Sequence, residues 1–444
     1  MSEGLYGRCS TSKHDRPCSP LLFSGRLPDG RSPTKLTSEP ASLGTAALSK
    51  QGWIAYVGQM RFPWGQAASR RVYGVARSLT HADYDVIVAS GSVESEAIAD
   101  LPCPGDPGRL YHVGLGILPN HAETQLEKAR RMLFSSSLAL INWLEAQPSK
   151  PSHLILYGGY AAYLLRLLPW CRRNNVALIA DVVEWYKTSE LPGGRFGLHS
   201  FNVGLGLRHL IPRCDGIIAI SSYLSKYYTG RGCLVAQVPP TVDTEEIPAR
   251  ISPADSKRPL TLVYAGTAGS KDLLGNVIEG MTIADPSMSR IQLKIVGYSQ
   301  EEVRSNWLGG RLIPRSILPM GKVDQRSVFA ILRDADFAVL LRPQERFTQA
   351  GFPTKFVESI ACGTPVIANL TSDLDRHLAD GQEGIVCLDH SAAAFSEALG
   401  RALRLRQDEM ARMRSAARKR AEASFDCRRY SSQLSSFLEA TRRT

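Results

Sequence analysis

Short apolar runs, closed off by glycine, proline or small polar residues, alternate along most of the chain with stretches of helical periodicity. Trp53–Val57, Tyr84–Ala89, His153–Tyr157, 176–180 and the run beginning at Cys214 fall in the first part. Leu260–Ala265, Ile291–Val296, 336–341, Val366–Ala368 and Gly384–Cys387 fall in the second. Such runs are apolar on both alternating faces, as strands covered by helices on each side of a parallel sheet must be. Between them, Val72, Val75, Ala76 and Leu79 share one helical face, and the stretch from Gln125 to Ala146 predicts a long helix ending before Pro148. The alternation predicts an α/β chain with two doubly wound, Rossmann-like domains. Residues 51–240 form the first domain, 241–258 a proline- and serine-bearing linker, 259–425 the second domain, and 426–444 a closing basic amphipathic helix. Residues 1–50 are rich in serine, proline, glycine and basic side chains without periodicity, and are expected to be a disordered tail.

In open α/β sheets ligands collect beyond the carboxyl ends of strands, so the loops that follow the predicted strands carry the candidate chemistry. Leu260–Ala265 runs into Gly266-Thr267-Ala268-Gly269-Ser270-Lys271-Asp272, where glycines let a backbone approach phosphate and Lys271 can neutralise it. Ile291–Val296 ends in Gly297. The stretch Gly351 to Asn369 predicts a helix of about two turns, with Pro353 at its start, Thr354 as its cap and Gly363 as a left-handed stop. Phe356, Val357, Ile360 and Ala361 share its apolar face, while Thr354, Lys355, Glu358 and Ser359 share the other. In the first half, Gly65 and Gln66 follow the first strand and precede a helix. Asp181 and Glu184 follow another strand and are candidates for an acceptor or for plain strand-end structure.

The 351–369 stretch closely resembles the nucleotide-binding signature of the family 4 retaining glycosyltransferases, enzymes of the GT-B fold found in bacterial polysaccharide biosynthesis. The resemblance implies that Glu358 grips the ribose of a nucleotide-sugar. It implies that Lys271 reaches the donor diphosphate, with Gly266, Thr267 and Gly297 lining the site. Two positions depart from the family: the upstream glutamate is Ala350 and the arginine of the 266–272 loop is Thr267. Arg342, Arg346 and Lys355 are the side chains that could replace that charge. Gly65 and Gln66 stand where the family has a glycine-rich cleft loop, and Asp181-Val182-Val183-Glu184-Trp185-Tyr186 resembles its acceptor domain. The implied activity is hexose transfer with retention from a UDP- or GDP-linked sugar to a glycan or lipid-linked saccharide. It needs no cofactor beyond the donor and no metal, and no catalytic base is identified. A degenerate GT-B scaffold or sugar-nucleotide-binding subunit, and a nucleotide-sugar epimerase, remain as alternatives.

The 444 residues carry a formal net charge of +11, which favours acidic partners. Arginines concentrate between Arg401 and Arg443, and peripheral contact with an anionic membrane face is one use for them. No helix-turn-helix, zinc-finger or aromatic RNA-binding pattern accompanies the charge, so nucleic acid is not expected as a partner. No apolar run reaches the length of about 18 residues that a spanning helix needs. The nine cysteines are scattered singly without metal spacing, which suits a reducing cytoplasm, at most peripheral to the inner face of a membrane.

Overall fold

The computed structural model describes residues 52–443 apart from 64–66, 93–98, 102, 119–123, 188, 190, 253–257, 268 and 270. The first half builds an eight-stranded sheet from β1 (Trp53–Val57), β2 (Asp85–Ser90), β3 (Ala99–Leu101), β4 (Leu110–Gly114), β5 (His153–Tyr157), β6 (Ala177–Val182), β7 (Gly216–Ala219) and β8 (Val235–Gln237). Its order is β3-β4-β2-β1-β5-β6-β7-β8, parallel throughout except where β3 runs against β4. The second half builds a six-stranded sheet from β9 (Leu260–Ala265), β10 (Ile291–Val296), β11 (Ile317–Gly321), β12 (Phe337–Leu340), β13 (Val366–Asn369) and β14 (Gly384–Cys387). Every pair in its order β11-β10-β9-β12-β13-β14 is parallel. In each sheet the first strand has earlier and later strands on opposite sides. The carboxyl ends of β1 and β9 are therefore the two switch points where a crevice opens.

The helices of the first half are α1 (Ala67–His81), α2 (Gln125–Arg130), α3 (Ser136–Glu145), α4 (Ala161–Arg173), α5 (Leu198–Leu205) and α6 (Ser222–Thr229). Those of the second are α7 (Leu274–Ala284), α8 (Gln300–Trp307), α9 (Gln325–Asp334), α10 (Arg346–Ala350), α11 (Thr354–Ala361), α12 (Ala392–Ala402) and α13 (Gln407–Ser424). The last helix, α14 (Ser431–Thr441), returns to the first sheet. Its Leu434, Phe437 and Leu438 join Val72, Val75 and Leu79 of α1 over Ile54, Tyr56, Val86 and Val88. The other face of that sheet is covered by α3 and α4 through Leu140, Leu144, Leu164 and Leu167. In β9 the alternation is plain: Leu262 and Tyr264 face α7 and α12, while Val263 faces α11. The cluster holding Val263 continues through Phe356, Val357 and Ile360 of α11 to Trp185 and Val203 of the first half, so one apolar core crosses both halves.

Strands β3, β4, β8 and β11 escaped the apolar pattern because they are short, half-exposed or interrupted by Pro319. The long helix expected over Gln125–Ala146 is present, but a π-helical stretch at Arg131–Ser135 divides α2 from α3. Thr354 is not the cap of α11: Pro353 occupies that position and no side chain caps it, because Thr354 already has helical backbone. Gly363 does take the left-handed stop, with φ +70°, and a β-carbon there would lie 2.7 Å from the Arg250 carbonyl oxygen. Gly363→Ala is expected to cost about 1–3 kcal/mol, through the left-handed backbone and the close carbonyl together. A thermal melt that does not shift downward would contradict this account of the helix end.

Candidate active site

At the carboxyl end of β9 the backbone turns through Gly266 with φ +125°, and at the end of β10 through Gly297 with φ +108°. Neither position has room for a side chain. A β-carbon at Gly297 would come within 2.8 Å of the Gly266 oxygen, and one at Gly266 within 2.5 Å of Lys355 Cε. The two loops pack backbone on backbone, and the Lys355 stem lies across the first of them. Thr267, the next residue, is exposed and offers its carbonyl oxygen to Lys355 Nζ at 3.4 Å.

Asp272 closes this loop and is the centre of its charge. Its Oδ1 accepts from Arg342 Nε at 2.8 Å, and its Oδ2 accepts from the Tyr264 hydroxyl at 2.8 Å and from Lys355 Nζ. Despite burial, the two cations hold the Asp272 carboxyl well below its ordinary range. Burial pulls Lys355 down, opposed by Asp272, and raises Tyr264, whose ring lies 4.4 Å from Lys355 Nζ. Arg342 is fixed from behind by Asn369 at the end of β13. The Asn369 side chain accepts the Arg342 peptide N–H and donates to its carbonyl, each at 2.8 Å. Two cations on one carboxylate leave an excess positive charge beside a glycine loop.

Glu358, on α11, is almost fully buried. Its carboxylate pairs with Arg70 of α1, from the opposite half, and lies 3.4 Å from Gln325 Nε2 at the start of α9. Arg70 Nη1 also donates to Gln325 Oε1 at 2.7 Å, while its buried Nε has no partner. Burial pushes the Glu358 carboxyl up, and Arg70 pulls it back. Lys271 likewise reaches across, to Glu184. Arg346 stacks on Trp185 with 3.8 Å to the ring centroid.

The sequence-predicted residues thus divide. Gly266, Gly297, Thr267, Lys355, Arg342 and Lys271 gather around the end of β9, Glu358 lies farther along the helix that carries Lys355, and Glu184 faces Lys271. Asp181 does not join them: it is fully buried, its oxygens taken by Arg71 at 2.8 Å and by the Tyr56 hydroxyl at 2.5 Å. Arg71 also donates to the carbonyls of Val238 and Pro239, at 2.7 and 2.6 Å. Asp181 is therefore an internal brace between β1, α1 and the chain leaving β8, and the acceptor role expected of it is withdrawn. Thr354, in the first turn of α11, is half-exposed. Gly65 and Gln66 lie outside the described residues. Ala350, at the position of the upstream glutamate in the family that the sequence resembles, is completely buried, and its carbonyl accepts from Ser221 Oγ of the first half at 2.6 Å. Sequence reading passed over Arg70, Asp272, Gln325 and Asn369. Only Asp272 carried a signal, as a carboxylate directly following Lys271.

Asp181→Asn should destabilise the protein by about 3–5 kcal/mol, since it leaves Arg71 buried without its counter-charge; an unchanged melting temperature would contradict the brace. For Arg70→Ala, the buried Glu358 carboxylate loses its cation, and stability should fall by about 1–3 kcal/mol at neutral pH. Because the Glu358 pKa is raised in the folded state, the cost belongs to the ionised form. It is full above that pKa and shrinks as pH falls through it and the group protonates. Adding Glu358→Gln to Arg70→Ala should recover most of the loss at neutral pH. A loss independent of pH, or not recovered, would show that the pair is not what Arg70 contributes.

Residues 248–420 match the family described as "Glycosyl transferases group 1". An uncharacterized glycosyltransferase of Methanocaldococcus jannaschii is 24% identical over 136 residues, 30% of this chain and 34% of that protein, so the match spans about a third of the relative. Among solved structures, the sucrose-phosphate synthase of Thermosynechococcus elongatus superposes with a TM-score of 0.63 at 14% identity, covering 87% of this chain and 98% of that one. HepE of Anabaena, in complex with UDP and glucose, gives 0.60 at 13% identity, covering 88% and 100%. At such identities the likeness speaks for the fold, and it agrees with the two facing parallel sheets and their switch points. The chain has the GT-B fold, and the stretch that matches the group 1 glycosyl transferases, residues 248–420, spans its second sheet and the helices around it.

Proposed function

We propose that the protein is a retaining glycosyltransferase that moves a hexose from a UDP- or GDP-linked sugar to a glycan or lipid-linked saccharide, in polysaccharide biosynthesis on the cytoplasmic side. The observation that carries this reading is the convergence at the end of β9 of a glycine-lined loop with Lys271, Arg342 and Lys355, beside the helix that bears the buried Glu358. A diphosphate fits the first group, because backbone without side chains allows close approach and excess positive charge awaits an anion. Ribose hydroxyls fit the second, since an ionised carboxylate in a dry setting accepts strong hydrogen bonds. The order of the parts along α11 matches the order along a nucleotide. Lys355 stands in the first turn near the β9 loop, and Glu358 lies three residues further on.

In this reading the nucleotide takes over Glu358 contacts now shared with Arg70 and Gln325. Lys271 turns from Glu184 to the phosphates. As the glycosidic bond to the leaving phosphate breaks, negative charge grows on the phosphate oxygens, and Lys271 stabilises it together with two cations that need not reorganise, Arg342 and Lys355. Asp272 and Asn369 keep the last two in place. Glu184, released from Lys271, faces the acceptor side. Ala350 supplies no carboxylate to the transferred sugar, which favours a second reading in which the chain binds sugar-nucleotide but does not turn it over.

Calorimetric titration with UDP, GDP and ADP, each beside its nucleoside, tests the donor site. One diphosphate should bind, and Glu358→Ala should weaken it by about 1–3 kcal/mol. Lys271→Ala should weaken the diphosphate far more than the nucleoside; equal losses would remove Lys271 from the phosphates. No binding of any of the three would overturn the reading. Binding without release of free sugar from any UDP- or GDP-hexose would favour the non-catalytic one.

A further inference from the structure

The C-terminal arginines, where the excess positive charge is most obvious in sequence, are largely committed within the fold. Arg414 is fully buried and donates to the carbonyls of Arg250, Arg333 and Ala335. Arg418 donates to Thr244, Ile247 and Ala361, and Arg443 pairs with Asp215 at 2.9 Å. The apolar face of α14 is used up on the first sheet. A different surface carries exposed positive charge together with exposed apolar side chains. It lies on the helical layer across the sheet from α14, where α4 packs against both the α2–α3 segment and α5. Phe134 and Leu138 project from the first, Leu165 from α4, and Phe196, Leu198 and Phe201 from the turn leading into α5 and from α5 itself. Phe196 is 95% exposed and Phe201 68%, where large aromatic side chains ordinarily find cover.

The charge on these segments is one-sided. Residues 125–145 hold three lysines or arginines, 161–173 three and 194–208 two, against the carboxylates Glu127 and Glu145 alone. Glu127 is held in the capping box of α2, and Glu145 is bound to Lys150 and to Trp170 Nε1. Arg130, Arg172, Arg195 and Arg208 are exposed, and Arg166 lies 5.3 Å over the Phe134 ring. Aromatic and leucine side chains standing out of a basic surface have the chemistry of interfacial binding. The rings enter the boundary between headgroups and chains, and each nearby cation gains about 1 kcal/mol from anionic headgroups.

We propose that this layer, centred on Phe134, Leu165, Phe196 and Phe201, docks the protein onto an anionic lipid bilayer. The inference does not depend on the donor reading. An acidic protein would match the charge but gives no role to single rings standing fully out of the surface, and a second copy would set basic surface against basic surface.

The full chain is floated with vesicles of phosphatidylcholine alone and of phosphatidylcholine with phosphatidylglycerol. Binding is expected only with the anionic lipid and should weaken as salt rises. The double variant Phe196→Ser, Phe201→Ser should bind about tenfold or more weakly. Leu312→Ser, at a comparably exposed leucine of the second half, should bind as the parent does. Circular dichroism melts check that each variant is folded. Absence of binding to anionic vesicles, equal loss in both variants, or a concentration-dependent dimer abolished by the double variant would each overturn the proposal. Nucleotide titration of the same preparations keeps its failure separate from failure of the donor site.

Discussion

A carboxylate in a nearly dry place needs a cation, and Glu358 finds its cation in the other half of the molecule. Much of the architecture around the cleft depends on that requirement. The apolar face of α11 pins the helix to the second sheet, and the same short helix carries Glu358 on its remaining face. The first turn of α1 contains no acidic residue and presents Arg70, a cation at the end of a helix where the dipole is positive. Arg70 is thus poorly placed without an anion, and Glu358 is poorly placed without a cation. Each half supplies what the other lacks, and the pair draws the two sheets together at the mouth of both crevices. Arg71, one residue on, is already satisfied by Asp181, which leaves Arg70 to the cleft.

The same economy governs the β9 loop. Lys355 and Arg342 stand close enough that their mutual repulsion would splay them in water-poor surroundings, and Asp272 between them makes their approach possible. One negative charge does not cancel two positive ones. What is left is a rigid cationic site that stays positive without ligand, held by hydrogen bonds from Tyr264 and Asn369. Rigidity here has a function: groups that need not move to meet a charge stabilise it more than groups that must.

How much of this could be read from the sequence follows from the range of the forces involved. The strands around the site were legible because a parallel sheet covered on both faces writes its burial locally, as unbroken apolar runs. The turns at Gly266, Gly297 and Gly363 were legible because each needs a residue without a side chain. The short α11 was legible from its apolar spacing and its stop, although its cap was misplaced by one residue. Asp181 was misread because a strand-end carboxylate looks the same whether it faces a cleft or an arginine from a helix 110 positions away. Arg70, Gln325 and Asn369 left no local sign, since their roles exist only once sheets, helices and halves have come together. Ion pairs across a fold are set by topology, and one sequence does not record them.

The net charge illustrates the same point on the scale of the whole molecule. In sequence the arginines of α13 read as a basic helix in search of an acidic partner. In the structure Arg414 and Arg418 are partners of the backbone. They reach the carbonyls at the end of α9 and the last residue of α11, where helix termini leave acceptors unmet and the dipole is negative. The buried Arg414 guanidinium, with three carbonyls, does without a carboxylate, and burial lowers its pKa to about 10, whereas Arg418 also pairs with Glu422. Charge that composition assigns to a distant partner is in this way spent on closing α9, α11 and the segment between the halves. Exposed cations remain elsewhere on the surface, and on the α2–α5 layer they stand together with large exposed apolar side chains.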